Sequence, residues 1–109
     1  MRRGEVWWVR VEGTRRPALI MTRDTAIPLL TSITIVPTTT RVRSIPTEVL
    51  LDGRDGMPER CALTLDNVRT VRKHDLHRRI TTLSASRLDE VCERLAYALG
   101  CARPATQFG

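Results

Sequence analysis

At 109 residues the chain has room for one domain and one core, and not for a separate substrate domain. Its 18 Lys plus Arg stand against 12 Asp plus Glu for a formal charge of +6, and Lys73 is the only lysine, so the positive charge is almost entirely guanidinium. That bias favours a polyanionic partner, because Arg grips phosphate with a planar fork and stacks on bases, although a GC-rich genome produces the same bias.

Gly4 to Val11 mixes β-branched and aromatic residues in partial alternation and reads as a first strand, with Glu12-Gly13-Thr14 as its turn. Of the adjacent Trp7 and Trp8, one should point inward and the other outward, where an indole stacks a base or packs on a dimer mate. Pro17 to Arg23 reads as a second strand, opened by a Pro and apolar enough for burial on both faces. Asp24 to Leu30, with Pro28, reads as a loop. Ser32 to Thr39 and Pro46 to Leu51 read as the third and fourth strands, joined by a basic loop carrying Arg41 and Arg43. After a Gly- and Pro-rich turn at 52–58 come two short strands, Cys61 to Leu65 and Val68 to Val71, around an Asp66-Asn67 turn. Lys73 to Arg79 reads as a solvated basic loop rather than a source of catalytic histidines, and Arg79 to Leu83 as the last strand.

The ending differs in kind. Leu88, Val91, Cys92, Leu95 and Leu99 recur at helical spacing behind a possible cap at Ser84 or Ser86, and Gly100 stops the run. Residues 1–100 thus read as a single domain, mainly β with a C-terminal helix, its strands forming a small barrel or strongly bent sheet; 101–109 read as a flexible C-terminal tail. The three cysteines, Cys61, Cys92 and Cys101, have no metal-ligand spacing, and their odd number excludes a complete disulfide framework. We expect no metal and no cofactor. No apolar run approaches the ~20 residues of a membrane span, and Met1 to Glu5 leads straight into strand-like sequence, so the expectation is a soluble, cytoplasmic protein.

The chemistry concentrates in two places. Thr38-Thr39-Thr40 follows the apolar run Ile33 to Pro37 and leads into Arg41 and Arg43, and Arg16-Pro17 opens another apolar run. Hydroxyls and guanidinium groups gathered at strand ends make a phosphate-binding set.

Four segments in this order resemble the MazF/PemK family of toxin endoribonucleases: Arg3-Gly4-Glu5-Val6-Trp7-Trp8-Val9, Arg16-Pro17-Ala18-Leu19-Ile20, Ile35-Val36-Pro37-Thr38-Thr39, and Arg79-Ile80-Thr81-Thr82-Leu83-Ser84. The resemblance spans roughly residues 2–100. It implies an SH3-like small barrel of the MazF/PemK/CcdB toxin type, a homodimer, and metal-independent cleavage of single-stranded RNA at short motifs to 2′,3′-cyclic phosphate and 5′-hydroxyl ends. The toxin would inhibit translation by cutting messenger RNA, ribosomal or transfer RNA being further targets, and a small acidic MazE-like antitoxin would neutralise it. Carried across residue by residue, the catalytic pair becomes Arg16 and Thr39, with Thr40 the rival to Thr39. Arg41 and Arg43, which flank this pair, and Trp8, as a stacking surface, are candidate RNA contacts. Family members often have a longer first hairpin loop with an acidic residue before the Arg-Pro; here only Glu12 is on offer. The same superfamily includes toxins that bind DNA gyrase without cutting RNA, the alternative reading.

Overall fold

The computed structural model describes residues 1–101, so the expected tail, apart from Cys101, lies outside the described residues. Seven strands, β1 (Glu5–Val11), β2 (Thr14–Ile20), β3 (Ser32–Thr39), β4 (Glu48–Leu51), β5 (Cys61–Thr64), β6 (Arg69–Arg72) and β7 (Leu76–Thr82), precede one helix, α1 (Ala85–Leu99). All the pairings are antiparallel, in the order β4-β5-β3-β2-β1-β7, with β6 added to β3. The sheet bends without closing.

β3 is the hub. Its first half, Ser32 to Ile35, pairs with β6, its end at Thr38 and Thr39 pairs with β5, and its other side takes β2 from Ala18 to Ile20. Side chains alternate across it, so Ile33 and Ile35 enter one apolar cluster with Val9, Ala18 and Ile20, while Val36 joins Leu19, Leu63 and Val91 in the other. The predicted two-sided burial of the Ala18-Leu19-Ile20 block follows directly. In β1, Trp7 packs against the first cluster, and Trp8 is half-buried at the surface.

The first hairpin is tighter than the sequence suggested. Glu12 and Gly13 both have positive φ, +50° and +79°, and Val11 already pairs with Thr14. Two-residue loops of this hand match the twist of the flanking strands, which moves the start of β2 from Pro17 to Thr14 and places Pro17 in mid-strand opposite Trp8. β2 also stops at Ile20 rather than Arg23. At the other end, Lys73–Asp75 form a short 3-10 turn and β7 begins at Leu76, so the expected basic loop is largely strand.

Ser84, not Ser86, caps α1, its hydroxyl accepting from Arg87 N at 3.3 Å, and Gly100 ends the helix at φ +72°. Val91 is fully buried, with Leu88 and Leu95 packed beside it, but Leu99 is 64% exposed and does not join the core. Arg87 fastens the helix to the sheet edge: it donates to Asp55 Oδ1 at 3.0 Å and to Leu50 O, and its pairing with Asp55 holds the guanidinium above its ordinary pKa.

Candidate nucleic-acid interface

Two prolines open the sheet where the candidate residues lie. A proline brings no N–H to a ladder. Pro17 O accepts from Thr38 Oγ1 at 2.7 Å, so the edge of Pro17 that lacks a donor faces β3, and the recorded β2–β3 pairs stop one residue later at Ala18 and Pro37. Pro37 repeats the device on the other side of β3: its carbonyl accepts from Thr64 Oγ1 at 2.9 Å, and between β6 at Ile35 and β5 at Thr38 the ladder is interrupted. A 3-10 turn, Leu65–Asn67, crosses that interruption.

The gap is a groove of about 630 Å³ whose wall includes Arg16, Thr39, Arg41, Arg43 and Arg69. Continuing the β2–β3 register two residues past Ala18 and Pro37 sets Arg16 opposite Thr39. The Arg16 guanidinium donates to Thr38 O at 3.5 Å, while its Nε is buried with no partner among the described residues. Thr39 Oγ1 accepts from Arg41 N at 3.1 Å, which leaves the hydroxyl proton available to an incoming acceptor. Thr38 is different: it is 3% exposed and its hydroxyl is committed to Pro17 O. Thr40 is exposed and lines a second, smaller lobe that shares Arg16 and Thr39 with the first and also contains Trp8.

The loop arginines are held otherwise. Glu48, buried at the start of β4, accepts from Arg43 N at 2.9 Å, Arg43 Nε at 3.2 Å and Ser44 N at 3.0 Å, so one carboxylate pins the basic loop to the sheet. Glu12 stands exposed at the rim of the groove, ion-paired to Arg69. His74 and His77 line neither lobe.

Arg69, Arg15, Asn67, Glu48 and Glu59 belong to this region and were not singled out from sequence. Arg69 and Asn67 lie some fifty residues from Arg16, and only the pairing of β6 with β3 brings them near. Glu48, three residues before the end of an apolar strand, was the one available signal: a carboxylate at a buried register position needs donors.

The chain is thus a small antiparallel β protein with a C-terminal helix and an arginine-lined groove. The family model described as "PemK-like, MazF-like toxin of type II toxin-antitoxin system" matches residues 2–99, and the chain belongs to that family. It is 40% identical over 103 residues to "Probable endoribonuclease MazF5" of Mycobacterium tuberculosis, covering 93% of this chain and 94% of that one. The solved structure of "Mycobacterium tuberculosis toxin MazF-mt6" superposes with a TM-score of 0.85 at 32% identity, covering 91% of this chain and 99% of the other. An endoribonuclease in complex with its cognate antitoxin, from a mycobacterial species, superposes equally well, with a TM-score of 0.85 at 25% identity over 95% and 99% of the two chains.

Proposed function

We propose that this chain is a sequence-specific, metal-independent endoribonuclease cutting single-stranded RNA, with Arg16 and Thr39 as the pair that grips the scissile phosphate. The broader class, a MazF-type toxin endoribonuclease of a toxin–antitoxin system, comes with the family. The observation that carries the finer reading is the meeting of Arg16 and Thr39 across the break in the β2–β3 ladder, one with an unpartnered buried Nε and the other with an uncommitted hydroxyl proton.

RNA brings its own nucleophile. The 2′-oxygen attacks phosphorus as its proton passes to water, the bond to the 5′-oxygen breaks and that oxygen takes a proton from water, and the products are a 2′,3′-cyclic phosphate and a 5′-hydroxyl. Arg16 donates to the non-bridging oxygens and Thr39 adds a third donor, so the charge gathering on the phosphorane meets preorganised partners. Arg16 acts through charge and position. Arg41, Arg43 and Arg69 carry the flanking phosphates, and Thr40 touches the RNA beyond the cut. Glu12, paired to Arg69, shapes the groove wall. Cutting messenger RNA, and exposed loops of ribosomal or transfer RNA, stops translation and growth. In the cytoplasm the basic toxin, as a homodimer, meets a small acidic antitoxin, a partnership that the mycobacterial toxin–antitoxin complex makes concrete for a relative.

The test is to incubate the protein with a long RNA in EDTA and to sequence and chemically type the ends. Cleavage giving 5′-hydroxyl ends, abolished by Arg16→Ala, is expected. No cleavage, 5′-phosphate ends, or equal cleavage by the variant overturns the proposal.

A further inference from the structure

The smaller lobe beside Arg16 and Thr39 has chemistry of its own. It encloses about 250 Å³, against about 630 Å³ for the main groove, and Trp8, Arg15, Thr40 and Glu59 line it without lining the larger one. The Arg15 guanidinium lies over the Trp8 ring, its central carbon 5.8 Å from the indole centroid. Such a wall stacks nucleobases, which bind equally to an indole face or a guanidinium plane.

Glu59 is the anomaly. It is exposed in the segment between the Gly53–Asp55 turn and β5, and among the described residues it makes neither a hydrogen bond nor an ion pair. The other carboxylate lining either lobe, Glu12, is neutralised by Arg69. An unneutralised carboxylate beside a phosphate path repels the backbone, unless it faces a group that supplies donors. In RNA a ribose 2′-hydroxyl supplies one donor, and a base edge can supply two side by side. Guanine presents N1–H and N2–H₂ side by side, matching the two oxygens of one carboxylate. Adenine and cytosine offer a single amino group beside a ring acceptor, and uracil's N3–H is flanked by two carbonyls that a carboxylate repels.

We propose that this lobe is a base pocket taking a guanine next to the scissile phosphate, with Glu59 accepting from its N1–H and N2–H₂ against the Trp8–Arg15 wall. The assignment rests on the ribonuclease reading above. Glu59 is therefore a specificity residue: it sets which phosphate reaches Arg16 and Thr39, without touching that phosphate.

The experiment compares wild type, Glu59→Ala and Glu59→Gln on mixed-sequence RNA by end sequencing. It then compares cleavage of one oligonucleotide carrying guanine, inosine or adenine at the enriched position. Wild type is expected to enrich guanine at one position adjoining the cut, and to cleave the inosine substrate, which lacks N2–H₂, roughly ten-fold more slowly. In Glu59→Ala the guanine-to-adenine ratio should fall about ten-fold and the inosine penalty should vanish. A wild-type motif without an adjoining guanine, or variants that keep both the guanine preference and the inosine penalty, overturns the pocket alone. Absence of cleavage by the wild type overturns the ribonuclease reading and the pocket with it.

Discussion

Arg16 and Arg43 line the same groove but are held in opposite ways. Arg16 rises from a strand, half-buried, its guanidinium steadied by a backbone carbonyl of the neighbouring strand and its Nε left without a partner. Arg43 sits exposed in a loop and is fixed by a buried carboxylate that also takes the Ser44 amide. The first is placed by strand register, with one donor on Thr38 O and no carboxylate partner among the described residues. The second has part of its charge spent on Glu48, which suits a residue that guides the backbone of RNA rather than one that meets charge developing in a reaction.

On the proposed reading this contrast makes the strand side govern turnover and the loop side binding. Arg16→Ala should lower kcat by about 10²–10³-fold with little change in affinity for an uncleavable 2′-deoxy analogue; a loss seen mainly in KM would break the contrast. Thr39→Val should cost about ten-fold or somewhat more in kcat, the worth of one hydrogen bond to a charged group, whereas an equal loss in Thr40→Val with Thr39→Val silent would transfer the role. Glu48→Gln should weaken RNA binding several-fold and lower the midpoint of urea unfolding by loss of about 1–2 kcal/mol, since it removes the ion pair that seats the loop. Arg41→Ala and Arg43→Ala should each weaken binding evenly across sequences, with the slope of log K against log salt falling by about one per residue.

The smallest effect concerns pH. Cys61 opens β5, two residues from Leu63, which pairs with Thr38, and burial, with Glu59's charge added, pushes its thiol from 9.0 up to about 11. A folded-state pKa raised in this way leaves stability intact below pH 9 and erodes it as pH climbs towards 11, where the unfolded chain ionises first. Cys61→Ala should flatten that alkaline decline in a thermal melt series, while Cys101→Ala leaves it in place.

Much of this was legible beforehand because it depends on local pattern. Alternation in β1 and β3, the Ala18-Leu19-Ile20 block buried on both faces, and the helical stripe through Val91 each declare themselves within a few residues. The misplacements have physical causes. The sequence pattern makes Pro17 a strand's first residue because proline breaks ladders, yet here the missing donor faces a gap, so the strand runs through it. Leu99 fits the stripe by spacing but is the last residue of α1 and remains exposed. Arg69, Glu48 and Glu59 acquire meaning only from β-pairings and loop closures between distant segments, which no local pattern encodes.

Pro17 and Pro37 carry one more consequence. A break in a sheet ordinarily presents idle backbone donors and acceptors, and invites any extended polypeptide to dock there as an extra strand. With a proline at each break, and both proline carbonyls already engaged by threonine hydroxyls, neither of these two residues offers a strand-pairing edge. What the opening offers instead are guanidinium and hydroxyl side chains, and on the proposed reading these donors suit the oxygens of a phosphodiester better than the amides of an added strand.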